Sequence, residues 1–268
     1  MRRALIGFGT PLGSYLAQRR TFADCYTYKQ ASKGIAACSE AVIVAPAGNS
    51  LGGKSLGALA HALVAALKKG AGRIVLLSSI DVYSCKGLPL DETAKPAGSP
   101  GNTWLPLFES EILACCLPAN VLRIPDVFGL APSRGSTGSL LIGDASKINR
   151  VAIHQWYPAR RLESDIAIAR EVGAPIVNLV SEPLPMNAVL KQFFPGQFGQ
   201  VRTPAPYSRI RTRYAGPLGG SGGYIMSAAE VLEEIGRYLR AMGISFASKA
   251  KASAAANHGG GARAAACG

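Results

Sequence analysis

The turn GFGTPLG carries three glycines, Gly7, Gly9 and Gly13, between a short apolar run (RALIGF, residues 3–8) and a helical pattern with Leu12, Leu16 and Ala17 on one side. Glycines so placed let backbone approach a phosphate and let a helix pack closely on a strand. The amides opening that helix add unpaired N–H groups and the positive end of a dipole. The turn reads as Gly7-x-Gly9-x-x-x-Gly13 or as Gly7-x-x-Thr10-x-x-Gly13, and Gly7, Gly9, Thr10, Leu12 and Gly13 then face the pyrophosphate of a dinucleotide. A carboxylate gripping the adenosine ribose belongs about 20 residues further on. That place holds Thr27, Tyr28, Lys29 and Gln30, with Lys33 following, so the cofactor is NADP or NAD. Lys29 is either a phosphate ligand or a solvated surface charge.

The later half offers polar groups beside aromatic surface. His154, Gln155, Trp156 and Tyr157 are consecutive, and Arg209, Arg211 and Arg213 alternate in RIRTR before the loop GPLGGSGG. Alternation on an extended segment sends the three arginines to one face, which suits a phosphate clamp and equally a charged edge that resists aggregation. We take His154, Trp156, Arg211 and Arg213 as substrate-binding candidates; a structural histidine and a core tryptophan are the bland alternatives. The six cysteines show no C-x-x-C spacing and the three histidines lie far apart, so no metal site is expected, and the thiols are read as reduced and mostly buried.

These groups need a scaffold, and the chain has one. Its 268 residues are 48% apolar, enough for a continuous core. Strands are expected at residues 3–8, 23–28, 41–45, 73–79, 119–124 and 176–180, with helices at about 51–69, 105–116, from 160 onward, 185–194 and 227–242. Such alternation predicts a Rossmann-type, doubly wound α/β fold with a mostly parallel sheet and a small mixed α/β C-terminal region. Ser227 and Glu230 have the spacing of a capping box. Residues 84–103, rich in Pro, Gly and Ser, read as a long functional loop. The division expected is a dinucleotide-binding domain at 1–135, a substrate region at 136–244 and a disordered low-complexity tail at 245–268. No run suits a membrane span or a signal peptide, which predicts a cytoplasmic protein with no membrane partner. The net charge of +13 attracts anions, but the basic residues are dispersed, which argues against nucleic acid and for a phosphate-bearing ligand.

Four stretches in order resemble the extended short-chain dehydrogenase/reductase family, the NAD-dependent epimerase/dehydratase group: GFGTPLG; LLSSIDVYS at 76–84 with LDET at 90–93; FESEILACCLPANVLRIPDVFGLAP at 108–132; and QWYPARRLESDIAIA at 155–169 leading to IVNLVSEPL at 176–184. The resemblance implies that Ala45, Pro46, Ala47 and Ser78 contact the cofactor and that Ser79 hydrogen-bonds the reacting oxygen. It also implies a Tyr-x-x-x-Lys pair whose lysine lowers the phenol pKa for proton exchange. No such pair occurs in the chain: counting back from Glu109 or Glu111, the tyrosine place holds Gly101 or Thr103 and the lysine place Leu105 or Leu107. Losing it forfeits roughly a hundredfold to ten-thousandfold in rate unless another group substitutes. Asp81, where the family's dehydratases carry an acid, is the candidate base, though an Asp there also caps its own turn. Tyr83 is read as a packed aromatic.

Two functions from different classes follow. One is an NAD(P)-binding epimerase/dehydratase-like oxidoreductase acting on a sugar or nucleotide sugar with an atypical acid/base group. The other is a non-catalytic NAD(P)-binding sensor or assembly protein of the same fold, with a basic nucleic-acid-associated protein a weaker third. The partners expected are the dinucleotide and a phosphorylated or nucleotide-linked sugar, with a homodimer left open.

Overall fold

All six strands in the main sheet begin and end within two residues of where the sequence places them, and the central ones, buried on both faces, read as unbroken aliphatic stretches. The computed structural model describes residues 2–46, 53–98, 104–130, 146, 148–197 and 199–244. Strands β1 (Arg3–Ile6), β2 (Asp24–Tyr26), β3 (Glu40–Val44), β4 (Ile74–Ser79), β5 (Ala119–Ile124) and β9 (Ile176–Asn178) form one parallel sheet in the order β2-β1-β3-β4-β5-β9. Helices α1 (Pro11–Gln18), α3 (Gly53–Gly70), α4 (Leu105–Leu113) and α5 (Leu162–Val172) accompany it. The expected Rossmann-type α/β architecture is the one observed.

From β1 the chain turns to β2 on one side and returns to β3 on the other, so the strand order reverses between β1 and β3. Ligands of open α/β sheets sit at such a point, outside the carboxyl ends of the strands. Between β2 and β3 there is only the one-turn α2 (Tyr28–Ala31), capped by Thr27 and Gln30. Residues 27 and 28, read as strand, leave it because the Thr27 hydroxyl accepts the Gln30 N–H and starts that turn.

A buried carboxylate fixes the sheet to α5. Glu40, fully buried at the start of β3, receives Arg3 at 2.8 Å and Arg170 at 3.1 Å, and Arg3 also reaches Glu163 at 2.9 Å. Two guanidinium groups answer the charge that burial would otherwise strand.

The C-terminal region adds short ribbons that periodicity did not reveal. β6 (Asp126–Phe128) pairs in parallel with β8 (Trp156–Pro158), and β7 (Ile153–His154) pairs antiparallel with β10 (Leu184–Pro185). Pieces of two or three residues carry too little alternation to be read. α6 (Met186–Phe193) and α7 (Ala228–Ala241) complete the region. One apolar cluster runs from Leu5 on β1 through Leu122, Trp156 and Val189 to Leu239 on α7, so both halves share a core. Residue 135 and the tail at 245–268 lie outside the described residues.

The capping box at α7 forms: the Ser227 hydroxyl accepts the Glu230 N–H at 3.3 Å, and the Glu230 carboxylate accepts the Ser227 N–H at 2.7 Å. These bonds from the Ser227 backbone and hydroxyl hold the Glu230 carboxyl below its ordinary value of 4.5. A depressed carboxyl adds stability above its unfolded pKa and loses it as pH falls through the folded value. Ser227→Ala is therefore expected to cost about 1 kcal/mol at neutral pH, and less at an acid pH below the folded pKa of Glu230, where the carboxylate is protonated. Urea denaturation at the two pH values checks it.

Burial corrects one expectation about the thiols. Cys38 and Cys115 are buried, but Cys25, Cys85 and Cys116 are exposed. Cys25 lies on β2, which among the described residues is an edge strand of the sheet. Among the described residues no helix is long and apolar enough to cross a membrane, and no group of three His, Cys, Asp or Glu could hold a metal.

Candidate active site

The cleft starts at the glycine turn. Gly7 takes φ of 98°, a left-handed value that glycine alone adopts freely, and its N–H and that of Phe8 both reach the Tyr26 carbonyl, at 2.9 and 3.0 Å. The Tyr28 hydroxyl donates to the Val44 carbonyl at 2.6 Å, and a Cβ on Gly7 would come within 3.0 Å of that oxygen. Burial pushes the Tyr28 phenol above its ordinary range. Thr10 caps α1: its hydroxyl accepts the Gly13 N–H at 3.0 Å and donates to the Gly7 carbonyl at 2.8 Å. Pro11 opens the helix, and the Leu12 amide remains one of those no helix can satisfy from within. Gly9 faces open space, with nothing within 4 Å of where its Cβ would be. An open, amide-bearing turn on a capped helix start fits a pyrophosphate.

From this turn a cavity of about 180 Å³ crosses the carboxyl ends of the neighbouring strands, lined by Leu12, Ala45, Pro46, Ser78, Ser79 and Leu105 among others. A second cavity of about 260 Å³ adjoins it, the two sharing Ser79, Asp81 and Pro125 in their walls. Lys86, Asp126, His154, Gln155, Tyr207 and Ser208 close the far side. Lys29 is exposed on α2, and Ala47 lies outside the described residues.

Each polar group in this wall has a definite setting. Ser79 caps the short 3-10 turn Ile80–Val82, its hydroxyl accepting the Asp81 N–H at 3.1 Å. The Asp81 carboxylate receives Lys86 at 2.7 Å. The Ser78 hydroxyl is committed elsewhere, donating to Glu109 at 2.6 Å. Glu109 and Arg123, 2% and 0% exposed, form a bidentate pair whose nearest approach is 2.7 Å, and Arg123 also donates to the Tyr83 hydroxyl at 2.8 Å. Tyr83 is thus a packed aromatic inside a polar network with Asn178 and the Asp91 carbonyl. Burial raises the Tyr83 phenol against the opposing pull of Arg123.

The two places counted for the missing lysine separate cleanly. Leu107 is 68% exposed, whereas Leu105 is buried in the cleft wall, so α4 presents an apolar side chain there. In the adjoining cavity His154 Nδ1 meets the Asp126 carboxylate at 3.0 Å, and the ring leans on Trp156 at 5.8 Å between centroids. Gln155 donates to the Ser181 and Ile210 carbonyls at 2.6 and 2.7 Å and accepts from Ile210 N–H at 2.8 Å, which ties the 206–210 segment to the cavity.

Some residues singled out in the sequence stand elsewhere. Trp156 is fully buried behind His154 and edge-on to Phe128, so it packs the core and backs the histidine instead of touching a ligand. Ser208, Ile210 and Thr212 point inward, which sends Arg209, Arg211 and Arg213 outward as the alternation predicts. Arg211 and Arg213 are exposed and line neither cavity; Arg211 covers Gly223 and the Tyr224 ring. Asp126, Lys86 and Tyr207 went unnoticed in the sequence. For Asp126 a signal existed, since Pro125-Asp126 directly follows the carboxyl end of a parallel strand.

No protein-family model and no curated protein matches the chain. Solved structures do. A UDP-glucose 4-epimerase from Thermotoga maritima, determined with UDP-glucose, aligns with a TM-score of 0.66 at 14% identity, over 90% of this chain and 99% of that one. A dTDP-4-dehydrorhamnose reductase from Yersinia enterocolitica aligns at 0.63 and 15% identity, over 90% of this chain and 100% of that one. The human epimerase family protein SDR39U1, determined with NADPH, aligns at 0.54 and 16% identity, covering 92% and 95%. The chain has the Rossmann fold of these proteins. Within this fold the likeness extends through the C-terminal ribbons, since nearly the whole of each neighbour is matched.

Proposed function

We propose that the chain is an NAD(P)-binding oxidoreductase of the epimerase/dehydratase kind acting on a sugar or nucleotide sugar. The observation that carries this reading is the continuous cleft from the Gly7–Gly13 turn, past Ala45 and Pro46, to the polar cavity of Ser79, Asp81 and His154. The bound dinucleotide supplies hydride acceptance and donation. Gly9 and the Leu12 amide hold its pyrophosphate, Ala45 and Pro46 lie along it, and the exposed Lys29 and Lys33 favour NADPH over NADH at the adenosine end. Apolar Leu105 and Leu12 keep water from the reacting face, while Ser79 hydrogen-bonds the reacting oxygen. Sugar hydroxyls find donors and acceptors in Lys86, Asp81 and Tyr207, with Gln155 holding the segment that carries Tyr207.

Leu105 favours a second reading, in which the fold binds the dinucleotide and turns nothing over. One experiment separates the two. NADPH and NADH are titrated by fluorescence, and the complex is then offered UDP-glucose, UDP-glucuronic acid and a dTDP-sugar while absorbance is followed at the nicotinamide band. Binding, tighter for NADPH, with an absorbance change is the expected result. Binding without any change selects the second reading, and no binding at millimolar dinucleotide removes both.

A further inference from the structure

We propose that His154, oriented by Asp126, carries the substrate proton in this cleft. The inference rests on the oxidoreductase reading above. With Leu105 in the wall of the first cavity, a proton carrier has to come from the titratable groups of the adjoining one, which are Asp81, Lys86, Asp126, His154 and Tyr207. Asp81 and Lys86 are held together at 2.7 Å, which opposes proton transfer from either. Tyr207 is 41% exposed, and the one lysine lining its cavity is the one paired with Asp81.

His154 has the arrangement a base requires. Its Nδ1 lies 3.0 Å from the Asp126 carboxylate, its side chain is 14% exposed, and its ring rests against a fully buried tryptophan. The pairing of β6 with β8 sets Asp126 beside Trp156, two residues after the histidine, so backbone register brings the carboxylate, 54% exposed, next to the imidazole. A carboxylate accepting from Nδ1–H leaves Nε2 as the acceptor and stabilises the imidazolium once the proton has moved. In the oxidative direction the substrate O–H bond breaks as an Nε2–H bond forms, and the C–O bond becomes a carbonyl. A bound oxidised nicotinamide would take the electron pair of the adjacent C–H bond as hydride, and the reverse step would return both. Asp126 acts as a positioning residue.

The test combines a spectroscopic readout with kinetics on the full chain. The chain has three histidines, so ¹⁵N-histidine labelling gives few signals, and the one lost in His154→Asn is assigned. With the ring neutral, His154 is expected as the Nδ1–H tautomer, moving to Nε2–H in Asp126→Ala. NADPH affinity of His154→Asn stays within about twofold of wild type, because the residue lies beyond the cofactor cavity, while turnover of the best nucleotide sugar falls roughly 10²–10⁴-fold. Added imidazole restores part of the rate of His154→Ala. An Nε2–H tautomer in the wild type overturns the assignment, as does an undiminished rate in His154→Asn, or a loss confined to Tyr207→Phe. Wild-type protein that binds NADPH yet turns over none of the sugars also overturns it, in favour of binding alone. Failure to bind NADPH is scored separately by fluorescence and removes the underlying reading, whatever the tautomer.

Discussion

Glu109→Ala is expected to destabilise the protein by about 3–5 kcal/mol, the cost of leaving a buried charge without its partner. Arg123 is fully buried on β5, and Glu109 is its counter-charge from α4. Burial works against the guanidinium charge, and the hydrogen bonds and attraction of Glu109 outweigh it, so Arg123 is held above its ordinary range. Without the carboxylate, Arg123 keeps only Tyr83 among the described residues, and the Ser78 hydroxyl loses its acceptor. Domains of this kind have about 5–15 kcal/mol in total, so the loss is a large fraction. The double replacement Glu109→Leu with Arg123→Met removes both charges and is expected to be milder than either single change. Urea midpoints for the three variants decide it: a single variant within 1 kcal/mol of wild type (about a fivefold change in the folding equilibrium) would refute the argument. Cleft geometry should suffer too, because Ser78 precedes Ser79 on the same strand.

That pair also marks the boundary of what the sequence made legible. The sheet was readable because doubly buried strands are aliphatic runs ended by glycine, proline or serine, and the glycine turn was readable because it joins the first of them to a helix. Ser227 and Glu230 announced their cap through local spacing alone. Contacts set by tertiary pairing left no such mark. Arg123 sits in ANVLRI as a lone cation in an apolar strand, and only the approach of α4 explains it. Asp126 looks like a turn residue until β6 is laid beside β8 and His154. Trp156 reads as a substrate-binding candidate because it stands among polar residues, but the two-residue ribbon β7 ends before it and its ring is buried. The three alternating arginines showed the correct periodicity and the wrong conclusion for the cleft, since periodicity specifies a face and not what that face meets.

Gly13→Ala is expected to damage both stability and dinucleotide binding, and the reason lies in backbone, not in a side chain that could step aside. A Cβ at Gly13 would stand 2.2 Å from the Gly7 carbonyl oxygen, 2.8 Å from the Thr10 hydroxyl and 2.9 Å from the Gly7 carbonyl carbon. Thr10 can rotate, at the loss of the cap it provides. Gly7 cannot retreat, because its N–H and that of Phe8 both bond Tyr26 on β2. The strain must therefore move α1 away from β1, opening contacts of Leu16 with the core and carrying the Leu12 amide out of line with the cleft. Overpacking of this kind costs about 1–3 kcal/mol, and misplacing the amides should weaken NADPH by at least about tenfold, some 1.4 kcal/mol. Urea denaturation measures the first and fluorescence titration the second. The comparison with Thr10→Ala is informative: it removes the cap, at about 0.5–2 kcal/mol, while leaving the strand-to-helix contact in place, so its affinity loss should be the smaller. Were the order reversed, the hydroxyl of Thr10 and not the close approach of α1 to β1 would be what positions the phosphate.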